Sequence, residues 1–231
     1  MFCIRIAGIA VGIDNRYEYV KRLCRDYICT DEPRFCVRAK ESDLRKQLAL
    51  FSQGGPGYAE SICVYRDICR RLPEYGAFVF HAAAVECDGA SYAFSAPSGT
   101  GKSTHAALWL DAFGDRARII NGDKPVIRIC NEGIYVCGTP WCGKEGQNTN
   151  AESPLRALCF IERGTENSIR SIEKSEAVTR IMPQILMPRE EKEADLLFGL
   201  LDRALSLLPL YVLRCNMTAE AAYTAYEGMK G

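Results

Sequence analysis

The chain has 231 residues, of which 48% are hydrophobic and 25% charged, so it is long and apolar enough to bury the core of one large or two small domains. Lys and Arg equal Asp and Glu at 29 each, and no global positive field attracts nucleic acid or an anionic membrane. The longest apolar runs, 6–13 and 77–85, are far shorter than the roughly 20 residues that span a bilayer. We expect a soluble, cytoplasmic protein with neither a nucleic-acid nor a membrane partner.

The twelve cysteines and two histidines limit the metal and redox chemistry open to the chain. No two cysteines have the Cys-x-x-Cys spacing of a zinc knuckle or a thiol redox motif, and the chain is too long to need disulfide stapling. Two histidines are too few for a histidine-rich metal site. We therefore expect reduced thiols.

Residues 1–75 alternate short apolar and charged stretches and predict a small, strand-rich α/β part of unknown role, with a loop at 53–57. An amphipathic helix is predicted over 58–72, because apolar residues such as Ile62, Tyr65 and Ile68 recur at three- and four-residue intervals. Pro73 stops this helix.

The remainder, 76–231, is better defined and predicts a mixed sheet with helices. Two buried strands, 77–85 and 91–95, flank a hairpin turn at Asp88 and Gly89. A helix over 104–113 ends at Gly114. The other apolar segments predict strands at 117–120, 125–130, 133–137, 157–162 and 210–215, and helices at 175–186, 191–208 and 218–228.

One segment carries a specific chemical signal, the P-loop pattern. It comprises Ala96, Pro97, Ser98, Gly99, Thr100, Gly101, Lys102 and Ser103, with Thr104 following, and Ala96 stands where the usual pattern has glycine. Gly99 and Gly101 allow backbone angles that point N–H groups at a phosphate. Lys102 supplies a cation for the terminal phosphates and the Ser103 hydroxyl a magnesium ligand. An apolar strand precedes the motif and a helix follows it, so the sequence predicts a nucleotide-phosphate site.

Three further residues are candidates for this site. Asp123 follows the apolar run 117–120 and is the best candidate for a magnesium ligand or for the base that takes a proton from an attacking hydroxyl; the alternative is a turn aspartate. His81 is either a hydrogen-bonded core histidine, which its apolar run favours, or a strand-end residue facing the phosphates. His105, in the first turn after the motif, is interpreted as a supporting or surface residue.

Taken together, four ordered segments resemble the HPr kinase/phosphorylase family, and more closely its short bacterial relatives with a phosphoenolpyruvate carboxykinase-like fold, some of which phosphorylate a serine of a peptide precursor. The segments are 81–86, 92–103, 119–125 and 138–144, and the resemblance covers about 76–231.

This resemblance implies a kinase that uses ATP and Mg²⁺ and transfers phosphate to a serine hydroxyl of a peptide or protein. It implies that Lys102 and Ser103 hold phosphates and magnesium, that Asp123 is base or metal ligand, and that His81 lies near the phosphates. Gly143 and Lys144 resemble the loop that meets the phosphoryl acceptor. Family members often assemble into rings or dimers, so a homo-oligomer is also possible.

Two departures from the family pattern keep alternatives open. Gly122 and Asp123 stand where the family often has two aspartates, so Asp123 either performs both roles or the chain is a weak catalyst. Residues 1–75 do not match the regulatory domain of full-length HPr kinases. A small-molecule kinase and a nucleotide-binding regulatory module therefore remain as alternatives, and the loop 138–150 is either a lid or a surface connection.

Overall fold

Two β-sheets, of four and nine strands, form the framework of the described residues, 1–50 and 54–230, in this computed structural model. The smaller sheet has the order β3-β1-β2-β4. Its strands are β1 (Phe2–Ile6), β2 (Ile9–Ile13), β3 (Ile28–Cys29) and β4 (Phe35–Val37). This arrangement confirms the prediction that the amino-terminal part is rich in strands.

The amino-terminal part also contains three helices: α1 (Glu18–Leu23), α2 (Glu41–Leu50) and α3 (Gly55–Arg71). The predicted amphipathic helix corresponds to α3, which is followed by a 3-10 turn over Leu72–Tyr75. The loop predicted at 53–57 is wrong from residue 55 onward, because α3 begins at Gly55 and has proline in its first turn. Residues 51–53 lie outside the described part of the chain.

The larger sheet is mixed, as predicted, with the order β5-β9-β10-β11-β7-β6-β8. Strand β13 also pairs with β11, and β12 pairs with β13; β7, β11 and β13 run parallel, whereas the remaining pairs in this sheet are antiparallel. The strands are β5 (Ala77–Val79), β6 (Ala82–Cys87), β7 (Ala90–Ser95), β8 (Ala117–Asn121), β9 (Val126–Cys130), β10 (Gly133–Cys137), β11 (Glu152–Arg163), β12 (Ser168–Ser171) and β13 (Leu210–Cys215).

Helices cover both faces of this sheet, and for that reason its strands read as nearly continuous apolar runs. Ala82 and Ala84 of β6 pack in a cluster with the helices of one face, whereas Ala83 and Val85 belong to the cluster with the helices of the other. The first face carries α5 (Lys174–Ile181) and α6 (Glu191–Leu207), and the second carries α4 (Lys102–Phe113) and α7 (Glu220–Met229). Among the described residues, no helix has the length and hydrophobicity needed to cross a membrane.

The single strand predicted over 77–85 is wrong, since the chain leaves one strand at Phe80 and enters another at Ala82. Strand β5 pairs with β9, whereas β6 pairs with β7 and β8. At the break, the Phe80 N–H donates to Pro125 O (3.0 Å) and the His81 N–H donates to Gln184 O (2.9 Å). His81 therefore lies at a junction between strands, within reach of the segment that follows β8.

The helix predicted over 175–186 is also divided. Helix α5 ends at Ile181, and a 3-10 turn over Met182–Gln184 follows it, because Pro183 cannot continue the α-helical hydrogen-bond pattern. This turn is the element that brings Gln184 to the strand junction at His81.

An apolar cluster joins the smaller sheet and α3 to one end of the larger sheet. It contains Val64 and Ile68 of α3 together with Val126, Cys137 and Trp141. Residues from both sides of the predicted boundary at 75/76 thus share one core, and the boundary itself stays a prediction.

Candidate active site

The glycine-rich loop, residues 96–101, connects the carboxyl end of β7 to the start of α4. Gly99 has φ +80° and Gly101 has φ +125°, and a Cβ at either position would meet no atom within 4 Å. Glycine is therefore required here for its backbone angles and not for space. The predicted order of strand, loop and helix is present, and the first N–H groups of α4 have no acceptor within the helix.

Lys102, the first residue of α4, is buried against this loop, with 7% of its surface exposed. Its Nζ donates a hydrogen bond to Ala96 O at 2.8 Å. Burial lowers the pKa of Lys102, and the nearby charge of Asp123 acts in the opposite direction. A desolvated ammonium group beside a helix N-terminus is suited to bind a phosphate.

Arg163, the last residue of β11, holds the loop from the side. Its Nε donates to Thr100 O at 3.1 Å, and its Nη2 donates to Gly99 O. Sequence reasoning did not identify Arg163, because only the parallel pairing of β11 with β7 brings its side chain to the loop. The guanidinium group satisfies carbonyl oxygens on the back of the loop and so fixes the loop conformation.

Asp123 lies in a turn that the fully buried side chain of Asn121 organises. Asn121 Oδ1 accepts hydrogen bonds from the N–H groups of Asp123 (2.9 Å) and Lys124 (2.7 Å). Its Nδ2 donates to Thr139 O at 3.0 Å. This arrangement ties the turn to the loop 138–150, since Asn148 Nδ2 also donates to Thr139 O (2.8 Å).

The Asp123 carboxylate contacts one donor at each oxygen. His81 Nε2 lies 3.0 Å from Oδ1, and Lys124 Nζ lies 2.8 Å from Oδ2. On its other side, His81 Nδ1 lies 2.9 Å from Gln184 Oε1. An imidazolium group donates to both neighbours, whereas a neutral imidazole that donates to Asp123 needs the Gln184 amide N–H to face Nδ1.

These contacts set the ionisation of Asp123. Burial alone would raise its pKa, but the hydrogen bonds and charges of His81 and Lys124 prevail and lower the pKa to about 2. The carboxylate is therefore ionised at neutral pH, and each oxygen keeps a free lone pair for a further donor or a cation. Sequence reasoning named His81 and Asp123 but missed Gln184, which is 103 residues away from His81 along the chain.

The loop 138–150 passes directly over Asp123. Gly143 has φ +80°, and a Cβ at this position would lie 3.0 Å from Asp123 Cβ. Lys144 follows it and is exposed at the rim of a cavity of about 440 Å³. Because Asp123 and Lys124 line this cavity together with Lys144, a molecule bound in it would reach the carboxylate.

A second cavity, of about 410 Å³, lies against the glycine-rich loop. The residues lining it come from the loop, from α4 and from the ends of β11 and β13. They include Gly99, Thr100, Gly101, Thr104, Leu108, Ile161, Asn216 and Met217. Its position makes it the candidate site for the remainder of a nucleotide whose phosphates bind the loop.

His105 is buried, with 2% of its surface exposed, so the surface location considered for it is wrong. Its Nε2 accepts a hydrogen bond from Trp109 Nε1 at 3.0 Å, and burial lowers its pKa to about 4. A neutral His105 thus supports the packing of α4 against Phe94 of β7.

No cluster of three or more His, Cys, Asp or Glu side chains that could hold a metal ion occurs within residues 1–50 and 54–230. Magnesium in nucleotide sites commonly has only one or two protein ligands, with phosphate oxygens and water completing the octahedron. The Ser103 hydroxyl at the start of α4 and the ionised Asp123 carboxylate provide oxygen ligands of this kind. The donor set therefore fits magnesium that arrives with a nucleotide.

No family model matches the chain, and no curated protein matches it. Among solved structures, the chain is similar to an HPr(Ser) kinase/phosphatase from Coxiella burnetii, with 9% identity and a TM-score of 0.38. The similarity covers 66% of this chain and 99% of that one. The family, the activity and the substrate of this chain stay predictions.

Proposed function

We propose that the protein is an ATP- and Mg²⁺-dependent kinase that transfers the terminal phosphate to a hydroxyl group, namely a serine hydroxyl of a peptide or protein. The proposal depends chiefly on one observation: Ser95, next to the glycine-rich loop, donates a hydrogen bond to His81 O at 2.9 Å, and His81 Nε2 lies 3.0 Å from the Asp123 carboxylate. A phosphate-binding loop and an ionised carboxylate therefore belong to one site, with a cavity beside the carboxylate.

In this proposal Lys102 and the start of α4 bind and orient the nucleotide phosphates. Ser103 and Asp123 would hold magnesium, which neutralises charge on the phosphates when bound. Transfer of phosphate passes through a loose transition state, so positioning and charge stabilisation contribute more than a strong base. A carboxylate with a pKa near 2 suits that role, since it accepts a hydrogen bond from the acceptor hydroxyl and orients it toward the phosphate.

His81 and Lys124 act on the reaction through Asp123. Both are hydrogen-bond donors to the carboxylate, and both therefore keep it ionised and fix its orientation. Gln184 in turn orients the imidazole of His81. In place of the second aspartate that the family often has, this chain has a single carboxylate with one donor at each oxygen, His81 and Lys124.

A kinase acting on a small molecule is the second candidate. The concave cavity of about 440 Å³ beside Asp123 favours it, because this volume falls in the range of small-molecule sites, roughly 300–1,000 Å³. A peptide serine entering with one neighbouring side chain would occupy the same space.

The test is the substitution Asp123→Asn, which keeps the size of the side chain and removes its charge. We expect nucleotide binding to persist while phosphate transfer falls by at least about 100-fold. Asp115→Asn, an exposed aspartate in the turn after α4, is the matched control and should transfer phosphate normally. Undiminished transfer by Asp123→Asn would contradict the assigned role, and nucleotide binding without transfer in the wild type would identify a regulatory module.

A further inference from the structure

The amino-terminal helices form one wall of the cavity beside Asp123. Helix α1 contributes Tyr19 and Leu23, and α3 contributes Tyr58, Ser61, Ile62 and Tyr65. The rest of the lining comes from Asp123 and Lys124 and from the loop 138–150, namely Pro140, Trp141, Cys142, Gly143, Lys144 and Gly146. The part of the chain for which sequence reasoning found no role is thus joined to the candidate reaction centre.

Most of the surface that lines this cavity is apolar, and half of the lining residues are aromatic or aliphatic. The Tyr65 ring packs against Trp141, with 5.5 Å between centroids, and the Tyr19 ring meets Tyr58 edge to face at 6.3 Å. Such ring pairs hold the walls in place and leave apolar surface directed at the cavity. A serine hydroxyl needs only Asp123 and the phosphate, so the apolar walls must meet another part of the acceptor.

The charged groups around the cavity also favour an apolar group on the acceptor. Lys124 balances the charge of the Asp123 carboxylate, and His81 contacts its other oxygen. Among the described Asp, Glu, Lys and Arg side chains that line the cavity, Lys144 alone lacks an ion pair, and it is exposed at the rim. A charged group next to the acceptor hydroxyl would therefore lose water without gaining a partner.

We propose that the acceptor carries a bulky apolar or aromatic group directly beside its hydroxyl, and that α1 and α3 select for this group. The inference builds on the proposed kinase function, since it names the class of acceptor for the same site. Its occupant is a short peptide segment in which the serine has apolar neighbours, with the neighbouring side chain between Ile62, Tyr65 and Trp141.

Two blocked pentapeptides of equal length and charge test this selection. In one, serine is flanked by glycine, and in the other by phenylalanine. Burial of one phenylalanine side chain predicts a kcat/KM at least about tenfold higher for the second peptide. The difference should arise in KM, because the apolar wall binds the acceptor before and during transfer alike. Equal kcat/KM for the two peptides would overturn the proposal.

Variants of the wall provide the second readout. Ile62→Ala and Tyr58→Ala remove apolar surface from α3 at side chains that are partly exposed, so both variants should fold. Each should raise the KM of the phenylalanine peptide about three- to tenfold and leave that of the glycine peptide unchanged. Ile28→Ala is the matched control, because Ile28 is 46% exposed and lies outside this cavity.

Binding separates failure of this inference from failure of the kinase proposal. The chain has two tryptophans, Trp109 and Trp141, so Trp109→Phe leaves Trp141 in the cavity wall as the fluorescent reporter. A fluorescence change that saturates at lower concentration with the phenylalanine peptide, without phosphate transfer, would support the apolar site and contradict the kinase. Transfer with no preference in binding or in KM would leave the kinase and overturn the apolar site.

Discussion

Replacing Asn121 with alanine tests the turn that holds Asp123. The Asn121 side chain is fully buried and accepts the N–H groups of Asp123 and Lys124. In Asn121→Ala both N–H groups lose their acceptor, whereas Thr139 O keeps its bond from Asn148. Each partly buried N–H donor left without an acceptor costs about 1 kcal/mol or slightly more. We therefore expect the free energy of unfolding to fall by about 2–3 kcal/mol.

Urea unfolding of the wild type and Asn121→Ala measures this loss. Asn150→Ala is the control, because Asn150 is exposed and donates one hydrogen bond, to Asp26 O at 2.7 Å; we expect it to lose less than about 1 kcal/mol. A freed turn also displaces the carboxylate, so phosphate transfer should fall by about 100-fold in Asn121→Ala. A loss of stability below about 0.5 kcal/mol, or normal transfer, would show that Asn121 does not hold the turn at Asp123.

Three further predictions concern the loops around the site. Gly143→Ala and Gly146→Ala both place a side chain at positive φ, so each should lose about 1–2 kcal/mol of stability. Only the Cβ at Gly143 would meet Asp123, so only Gly143→Ala should also have a lower kcat. Equal kcat in the two variants would contradict this packing. Because the pKa of Asp123 is lowered to about 2, its ionised form stabilises the fold by about 2 kcal/mol above pH 4, and this contribution is lost as the pH falls toward 2. Urea unfolding should therefore show Asp123→Asn less stable than wild type at pH 7 and nearly equal to it near pH 2, whereas a gap that does not change with pH would count against the ion pairs. Arg163→Ala frees the carbonyls of the glycine-rich loop and should weaken ATP binding about tenfold in equilibrium dialysis, and unchanged affinity would show that the loop holds its shape without Arg163.

Sequence periodicity predicted the elements that are governed by a regular apolar face. Helix α4 ends before Gly114 and β13 spans 210–215, as predicted, because a glycine at positive φ and a buried apolar run are local signals. Helix α2 was not predicted because few of its residues are buried, Leu44 and Gln47 among them, and its apolar pattern is correspondingly weak.

The features that position the site depend on long-range contacts, which a local pattern does not contain. The run 77–85 stays apolar through the break at His81, and the break is set by hydrogen bonds to Pro125 O and Gln184 O. Arg163 reaches the glycine-rich loop only because β11 pairs with β7. The sequence thus named the glycine-rich loop, His81 and Asp123 as candidates, but it could not predict the donors around the carboxylate or the aromatic cavity.

The most direct test of the proposed function is magnesium-dependent turnover of ATP by the intact chain and by Lys102→Ala, with a serine peptide present. We expect turnover that requires magnesium, is stimulated by the peptide and is abolished in Lys102→Ala, because the buried ammonium of Lys102 lies at the loop that we propose binds the phosphates. Turnover that persists in Lys102→Ala, or a wild-type chain that binds ATP without any turnover, would contradict it.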